Sequence, residues 1–421
     1  MAVAQVLARL RREPLEHLPI AEHVNQLCRD YEHPWRDRLL TPLVTLRLFV
    51  LQILHGNTAI THLRQLSGLD FAPASYCEAR QRLPISFLQS LLAWVNERGH
   101  QAAGVAASLG HRVLIVDGSN FSMSDTPELN ARFQLPRGQK PGVGYPSGKL
   151  MGLLDAATGL FIELLALPLF QHDMRSVIAL HPLLRPGDIV LGDRAFCSVV
   201  HVALLNARGV FACFHLHQRR KTPRTGGITQ WLKPSEIPAW MNPAQFAALP
   251  AFVRVRLVRC TVADKGFRTR RFWVATTLLD EQAWPDGKIA ELYGQRWQIE
   301  TCFNHLKTTM KMNVLRCKTV DGVSKELAVY LLVYNLVRLA ILRAAAQQGV
   351  GPDRISFIDG LRLLTVRMLG LTGVTRLIEN PDRRGRSQLR VIRRRLKEYD
   401  LLKRPRREEE ALRAAKAGSH A

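Results

Sequence analysis

The sequence predicts an α/β core with a helical region on either side of it. Two short runs, residues 113–116 and 189–192, are continuously apolar, which is typical of strands buried on both faces. Each run is followed directly by an aspartate. Helical patterns fill the first hundred residues and return as helices over 286–312 and 323–347, so the strand-rich part lies in the middle of the chain.

The N-terminal region begins with a strongly apolar predicted helix over residues 42–55. Thr41 is placed to cap this helix, Pro42 occupies its first turn, and Gly56 ends it. These three signals agree with one another, so both ends of the helix are predicted.

Two shorter helices follow, over residues 58–67 and 74–83, the first capped by Asn57 or Thr58 and the second bearing arginines. A short helix, a turn and a basic helix fit a helix-turn-helix motif that reads DNA. They fit equally well a helical bundle with an arginine-bearing surface. The pattern carries no signature that separates the two interpretations.

Strands dominate the prediction between residues 111 and 280. A hairpin follows the first apolar run, and a helix over 176–184 precedes the second. Residues 216–280 are basic and lack helical periodicity, which predicts a β-rich insertion. The predicted hairpin strands are 149–156 and 160–167, and further strands are predicted at 210–215, 253–261 and 270–277.

The charge balance points to a polyanionic partner. The 421 residues include 59 Lys and Arg against 35 Asp and Glu, a formal net charge of +24. Nucleic acid is the usual partner of so basic a chain, and an anionic membrane surface is the alternative. Residues 39–54 are too short for a membrane span and contain Arg47, and residues 1–12 lack the apolar run of a signal peptide. We therefore expect a cytoplasmic protein without a membrane partner.

Cysteine usage excludes two classes of small scaffold. The seven cysteines are scattered and form no CxxC pair. This spacing argues against a zinc ribbon and against a disulfide framework. We expect reduced thiols that pack as small apolar residues.

We expect three domains: a helical one over residues 1–105, the α/β core with its insertion over 106–345, and a basic helical region over 346–421. Twelve of the 26 residues from 382 to 407 are Lys or Arg. That stretch either follows DNA phosphates or forms a solvated helix with a disordered end.

Three acids are the candidates for chemistry. Asp117 and Asp193 follow the two apolar strands, at the strand ends where ligands gather in α/β folds, and Glu300 lies on the helix after the insertion. Carboxylates suit Mg²⁺, and a pair of such ions can activate an attacking oxygen and stabilise a leaving one at a phosphodiester. The plainer alternative is that the aspartates cap turns and the glutamate belongs to a solvated helix face.

The helix that carries Glu300 adds cations to the same candidate site. Tyr293, Arg296, Glu300 and Lys307 fall within a ~60° arc of one face of an ideal helix. A carboxylate beside a guanidinium and an ammonium suits a surface that binds metal and phosphate together. This spacing predicts that Arg296 and Lys307 bind DNA phosphates.

These residues also carry a resemblance to a known family. The spacing Tyr293-x2-Arg296-x3-Glu300-x6-Lys307 resembles the Tyr-Arg-Glu-Lys signature of bacterial insertion-sequence transposases of the DDE class, insertion-sequence-four type. The likeness covers roughly residues 40 to 345. Further blocks that resemble the family are Asp117-Gly118-Ser119, Gly192-Asp193-Arg194-Ala195-Phe196, and residues 315–319 and 334–338.

The resemblance implies a ribonuclease-H-like catalytic core with a β-rich insertion. It implies that Asp117, Asp193 and Glu300 bind two Mg²⁺ ions, for which Mn²⁺ can substitute. It further implies that Tyr293 and its two cationic neighbours on the helix hold the DNA backbone near the cleaved end. Members of this group usually act as homodimers across two DNA ends.

The function expected from residues and resemblance is cut-and-paste DNA transposition in the bacterial nucleoid. The partners are the terminal inverted repeats of the element and the target DNA, both double-stranded. Two alternatives stay open: a catalytically inactive or host-adopted relative that only binds DNA, and a stand-alone metal-dependent nuclease.

Other residues have weaker cases. Arg194 either binds phosphate or pairs with a structural carboxylate, and Trp297 either stacks on a displaced base or, as the favoured interpretation, packs in the core. Three further pairs are more simply structural than functional, although an auxiliary site role is open for the second pair: Cys302 with His305, His172 with Asp173, and His215 with His217.

Overall fold

In the computed structural model the described residues are 13–15, 18–35, 38–103, 110–137, 144–220, 225–262, 270–369 and 376–380, with a few positions between 405 and 415. The predictions for residues 1–12 and for most of the basic stretch, 381–404, lie outside the described residues. Arg406, near the end of the basic stretch 382–407, is described, and its Nε lies 2.5 Å from Oδ2 of Asp125 in the core.

Five helices form the described N-terminal region: α1 (Ile20–Asp30), α2 (Pro42–Leu54), α3 (Ile60–Ser67), α4 (Pro73–Arg82) and α5 (Ile85–Ala103). The end signals predicted for α2 are confirmed, because the Thr41 side chain accepts a hydrogen bond from the Val44 amide and Pro42 is the first helical residue. Every residue of α2 is buried, which explains why its sequence is apolar except at Thr45, Arg47 and Gln52.

The predicted cap of α3 is wrong. The helix begins at Ile60 after Ala59, and neither Asn57 nor Thr58 caps it. Asn57 lies in the left-handed region (φ 55°), is buried, and donates instead to the Glu326 carboxylate. The polar side chain that the local sequence predicts as a helix cap therefore donates to a distant carboxylate instead.

The two helices of the possible helix-turn-helix are present, but one of the arginines points inward. On α4, the guanidinium of Arg80 lies 3.7 Å from the centre of the Phe49 ring and donates to Gln52, whereas Arg82 is exposed. The basic surface that α4 offers is therefore smaller than its sequence suggests.

Nine strands form one mixed sheet. Its order is β3-β2-β1-β4-β5-β8-β7-β6, with β9 also paired to β1. The contacts β1–β4, β4–β5 and β1–β9 are parallel and the others antiparallel. The strands are β1 (Val113–Met123), β2 (Ser147–Asp155), β3 (Phe161–Pro168), β4 (Ile189–Gly192), β5 (Phe211–His215), β6 (Gly227–Leu232), β7 (Phe252–Val262), β8 (Arg270–Thr276) and β9 (Val314–Leu315).

Helices cover both faces of this sheet. Val113 and Ile115 of β1 point into a core shared with the N-terminal helices, whereas Leu114 and Val116 point into a second core on the other face. Burial on both sides accounts for the continuous apolar run. The remaining helices are α6 (Pro127–Phe133), α7 (Asp173–Ile178), α8 (Val199–Asn206), α9 (Pro243–Ala247), α10 (Asp286–Gly294), α11 (Trp297–Asn304), α12 (Val320–Gln348) and α13 (Phe357–Met368).

Two local predictions need correction. The first strand does not stop at Val116 but continues through Asp117 to Met123, because β2 pairs along this whole length. The helix predicted over 176–184 begins earlier, at Asp173, and ends at Ile178 before a separate 3₁₀ turn. The strands β6, β7 and β8 lie within the predicted insertion and extend the central sheet through the β5–β8 pair.

The central helix of the fold is α12. Among the described helices it is the one long and apolar enough to cross a membrane, but 83% of its most apolar window is buried inside the fold. Burial of this kind is typical of a core helix.

A buried carboxylate on α12 connects three parts of the chain. Glu326 is 1% exposed and accepts hydrogen bonds from the Asn57 side chain and from the backbone amides of Arg316 and Cys317. These donors come from the α2–α3 connection and from the segment after β9. One side chain thereby accepts from one buried and two partly buried donors.

Replacement of Glu326 tests this connection. We expect Glu326→Ala to lower the free energy of unfolding by about 3–5 kcal/mol, because at least three donors lose their acceptor. Denaturant titration measures the change. Glu97→Ala on the exposed face of α5 is the matched control and should change stability by less than about 0.5 kcal/mol. Equal effects of the two substitutions would contradict the assigned role.

Candidate active site

The candidate site lies at a gap in the pairing of β1. The parallel partner β4 pairs with β1 only as far as Ile115, and β9 begins to pair at Ser122. Between these points β1 pairs on one side alone, with β2. The gap exposes the stretch that begins at Asp117 and makes room for side chains from both faces of the sheet.

Asp117 and Asp193 meet at this gap from adjacent strands. Asp117 sits on β1 directly beyond the last pair with β4, and its Oδ1 accepts from the Gly118 amide at 2.8 Å. Asp193 follows β4 and caps the 3₁₀ turn Arg194–Phe196, with its Oδ1 accepting from the Ala195 amide at 2.8 Å. In each carboxylate, one oxygen accepts from a nearby backbone amide, and this hydrogen bond orients the side chain.

The third acid is brought to the gap by a break in its helix. The continuous helix predicted over 286–312 is wrong: α10 ends at Gly294, and α11 begins at Trp297. Arg296 lies at the junction, where tighter 3₁₀-type bonds such as Gln298 N–H to Gln295 C=O replace the α-helical pattern. Arg296 and Glu300 still share one helical face across this junction, because their side chains form an i,i+4 ion pair.

Arg296 is the cation between two of the acids. Its Nη2 lies 2.9 Å from Glu300 Oε1 and its Nη1 lies 3.7 Å from Asp117 Oδ2. The side chain is only 9% exposed, whereas that of Glu300 is 46% exposed. Its Nε is buried without a hydrogen-bond partner in the structure. A buried guanidinium with an unused donor is held here by the charges around it rather than by complete hydrogen bonding.

Tyr293 and Lys307 flank the same gap at different depths. Tyr293 is buried against the Phe272 and His215 rings, and burial raises the pKa of its phenol. Lys307 lies in a π-helical turn, His305–Thr309, and its Nζ donates to Ser119 Oγ at 3.0 Å. The extra residue in such a turn places the ammonium beside β1.

Burial and like charge act together on Asp117. Burial, together with the negative charges of Asp193 and Glu300, raises the pKa of its carboxyl to about 6, although the Gly118 amide and Arg296 oppose the shift. The three carboxylates are therefore close enough to repel one another. Because of this repulsion, the site favours the binding of a cation.

The loop that carries Asp193 is fixed from behind by two buried histidines. His201 Nδ1 bonds the Phe196 carbonyl at 2.8 Å, and its Nε2 meets His181 Nε2 at 3.1 Å. Burial lowers the pKa of His181 to about 3 and that of His201 to about 4, so both rings are neutral near pH 7. A neutral His201 ring can donate from Nδ1 to the Phe196 carbonyl and accept at Nε2 from a neutral His181, so no charge is placed in the core.

A cleft of about 250 Å³ opens beside the acids and contains residues that the sequence patterns did not single out. Lys149 on β2 and Asn120 on β1 line it together with Asp117, Asp193 and Asp173. Neither Lys149 nor Asn120 belongs to a motif. Their register as cross-strand neighbours is a property of the β1–β2 pairing, which one sequence does not reveal.

The weaker candidates separate clearly in the structure. Trp297 is 52% exposed and lies 4.5 Å from the Arg296 guanidinium, so its expected core position is wrong. Arg194 is exposed and donates to Gln218 at 3.0 Å, rather than to a carboxylate. His215 lies close enough to Asp193 and Arg296 for their charges to affect its pKa, which burial lowers.

The remaining pairs occupy structural positions. Cys302 is buried, and His305 stacks on Phe357 with ring centres 4.0 Å apart. His172 caps α7 through Nδ1, and His217 accepts from the Arg219 amide. Across the described ranges, no three His, Cys, Asp or Glu side chains already surround a single point as a metal cage. The charge-paired Arg296 lies where the acids would otherwise converge.

Carboxylates that repel one another, beside cations that can meet phosphate, are typical of enzymes that act on phosphodiesters with the help of metal ions. Comparison with known proteins gives the family. The chain belongs to the family described as Transposase DDE domain, whose model matches residues 108–336. Enzymes of this family cleave DNA and transfer its strands with divalent metal ions. The resemblance found in the sequence is thereby confirmed, and the chain is a DNA-acting transposase.

Two of the proteins to which the chain is similar are transposases. It is 27% identical over 359 residues to the transposase InsG for insertion sequence element IS4 of Escherichia coli K12, which covers 78% of each chain. Among solved structures, the piggyBac transposase in a synaptic complex with hairpin DNA is similar with a TM-score of 0.41 and 11% identity, over 86% of this chain and 80% of that one.

Because the pKa of Asp117 is raised, we predict that its ionised carboxylate lowers the stability of the folded protein at neutral pH. We expect Asp117→Asn to raise the free energy of unfolding by about 1–3 kcal/mol at pH 7.5 in EDTA, because the folded protein no longer holds a disfavoured carboxylate. The folded pKa lies above the unfolded value of 3.8, so wild type gains stability as the pH falls from about 6 to about 4. The advantage of the variant should therefore vanish near pH 4. Thermal unfolding at the two pH values measures it.

Asp188→Asn is the contrasting control. Asp188 is also buried, but Arg112 binds both of its oxygens, at 3.0 and 2.6 Å, and the Arg185 amide donates to it. This substitution should lower stability at pH 7.5. If both asparagine variants are less stable than wild type, Asp117 is not the strained group described here.

Proposed function

We propose that the protein is the cut-and-paste transposase of its own insertion sequence and that Asp117, Asp193 and Glu300 are its catalytic acids. The observation that carries this proposal is that Asp193 and Glu300 both lie close enough to Asp117, at the gap of β1, for their charges to raise its pKa, with the buried Arg296 between Asp117 and Glu300. A stable fold has little reason to gather these charges unless a cation or a phosphate completes the site.

The donor set suits two Mg²⁺ ions, with Mn²⁺ as a substitute. Hard carboxylate oxygens are the ligands that such ions prefer, and the repulsion that raises the pKa of Asp117 is relieved by positive charge. When bound, the metal supplies a Lewis acid that activates the attacking oxygen and stabilises the leaving one. Arg296 must yield part of its pairing for the acids to coordinate together.

The cations of the site then have a second task, which is to hold the DNA backbone. A guanidinium released from Glu300 and Asp117 can turn to a phosphate, and the Lys307 ammonium, placed by Ser119, can do the same. Tyr293 supports Arg296 from the buried side. The exposed Trp297 ring is available for a base displaced near the cut, and the exposed Arg194 for a neighbouring phosphate.

The wider organisation of the protein follows from the same proposal. Residues 106–345 would be a ribonuclease-H-like catalytic domain, whose insertion over 216–280 reaches along the bound DNA. Residues 1–105 would bind the terminal inverted repeats, and the basic region 346–421 would support a homodimer that holds two DNA ends in the nucleoid. One site can perform hydrolysis and strand transfer in turn, because both are phosphoryl transfers to an activated oxygen.

Cleavage of flanking DNA tests the proposal. A supercoiled plasmid that carries the DNA on both sides of the gene is incubated with the protein in Mg²⁺ or in EDTA. We expect metal-dependent breaks at the element ends, followed by strand joining. Glu300→Gln should abolish them while DNA binding persists, and Glu291→Gln, an exposed glutamate of α10, should cut like wild type.

The other outcomes identify the alternatives. Binding without cleavage by wild type would favour a DNA-binding relative. Cleavage without strand joining would favour a stand-alone nuclease. Loss of binding rather than of cleavage in Glu300→Gln would contradict the role of this residue as a metal ligand.

A salt titration tests the phosphate contacts. We expect Lys307→Ala to weaken binding to the element end and to lower the slope of log K against log salt by about 0.9, the value for one lost phosphate contact in duplex DNA. Arg296→Ala should have a similar effect. Fluorescence anisotropy over a range of salt concentrations gives the slope, and an unchanged slope would exclude the contact.

A further inference from the structure

The cleft beside the acids has a second wall that the proposed mechanism does not use. Lys149 lies on β2 two residues before Met151, which belongs to the core on the face of Leu114 and Val116. Side chains alternate along a strand, so Lys149 projects to that face. The helix α11, with Glu300, packs on the other face. Lys149 and Glu300 therefore approach the gap from opposite sides of the sheet.

The Lys149 ammonium is fixed in position. It is 19% exposed and donates to the Asp173 carboxylate and, at 2.8 Å, to the Gln171 carbonyl. An ammonium has three donors, so in the described part of the chain these two bonds leave one for the cleft. Lys149 is also the one cation among the residues that line this cleft.

An amide lies next to this cation. Asn120 is the direct cross-strand partner of Lys149 in the β1–β2 register, so both side chains project to the same face, and both line the cleft. An ammonium and a carboxamide side by side offer donors to an anion. The three carboxylates of the cleft would repel that anion unless it arrived as part of a phosphodiester already held at the acids.

We propose that Lys149 and Asn120 form a second phosphate-binding position, which holds a DNA backbone phosphate next to the one that is cut. Asp173 is a positioning residue: its carboxylate orients the ammonium and does not touch the DNA. The cleaved strand then passes through the gap of β1, with Arg296 and Lys307 on one face of the sheet and Lys149 on the other. This inference rests on the proposed function, since it concerns the same DNA.

The test neutralises the DNA phosphates one at a time. A duplex from one end of the flanking DNA is prepared with methylphosphonate at one position at a time around the cut. Binding is measured by anisotropy in Mg²⁺ with Glu300→Gln as the parent, so that the strand stays intact. Among the positions at which neutralisation weakens binding, we expect one, other than the cut phosphate, whose effect depends on Lys149 and is about tenfold, the scale of one charge-assisted hydrogen bond.

Adding Lys149→Met to the parent should remove the sensitivity at that position alone and lower the salt slope by about 0.9. Lys149→Arg, which keeps the charge, should restore both. Asp173→Asn should weaken binding with the salt slope unchanged, because the ammonium remains but is no longer oriented. Thermal unfolding verifies that each variant is folded.

Arg343→Met is the matched control for loss of one cation. Arg343 is exposed on α12, one turn beyond Arg338, which holds the Thr158 carbonyl at the end of β2 remote from Lys149. Its removal should leave the slope and the methylphosphonate pattern unchanged. If Lys149→Met keeps full sensitivity at every position, or if Arg343→Met lowers the slope equally, the second phosphate position is wrong.

The two proposals fail in different ways. If wild type does not cut its flanking DNA, the proposed function fails, whatever the binding measurements give. If wild type cuts and no phosphate is coupled to Lys149, the catalytic assignment stands and only the second phosphate position is overturned.

Discussion

The repulsion of the Asp117 carboxylate by Asp193 and Glu300 at the gap of β1 is the constraint on which the rest of the site depends. Asp117 keeps its charge at neutral pH only at a cost, since burial and its acidic neighbours raise its pKa to about 6. Arg296 offsets part of this cost by lying between Asp117 and Glu300. Arg296 lies at the junction between α10 and α11.

The scaffold around the gap is rigid where the site needs it. β4 ends early enough to leave β1 open, and the histidine pair behind the Asp193 loop fixes where that loop begins. Glu326 joins the N-terminal helices to the segment after β9 by accepting from the Asn57 side chain and from the Arg316 and Cys317 amides. Stability concentrated behind the site allows the site itself to remain electrostatically unfavourable, as is common where function requires unpaired charge.

The family relation explains why such a site is present in a chain of this charge. A transposase must hold a polyanion against three carboxylates, and the net charge of +24 supplies the attraction at long range. Close to the acids, the attraction to DNA depends on individual cationic residues. Arg296, Lys307 and Lys149 lie near the acids, and each is held by a neighbouring polar or acidic group in the metal-free protein.

The sequence by itself determined the α/β class, the strand runs before Asp117 and Asp193, the caps of α2 and the family motif around Glu300, because each is encoded in neighbouring residues. It failed for the α3 cap, since Asn57 bonds a carboxylate 269 residues away. It also failed for Trp297 and for the continuous helix over 286–312, whose break depends on Arg296 reaching another strand. Lys149 and Asn120 became visible only through the β1–β2 register. Tertiary structure decided these features because long-range charge and strand pairing, rather than local periodicity, set their energies.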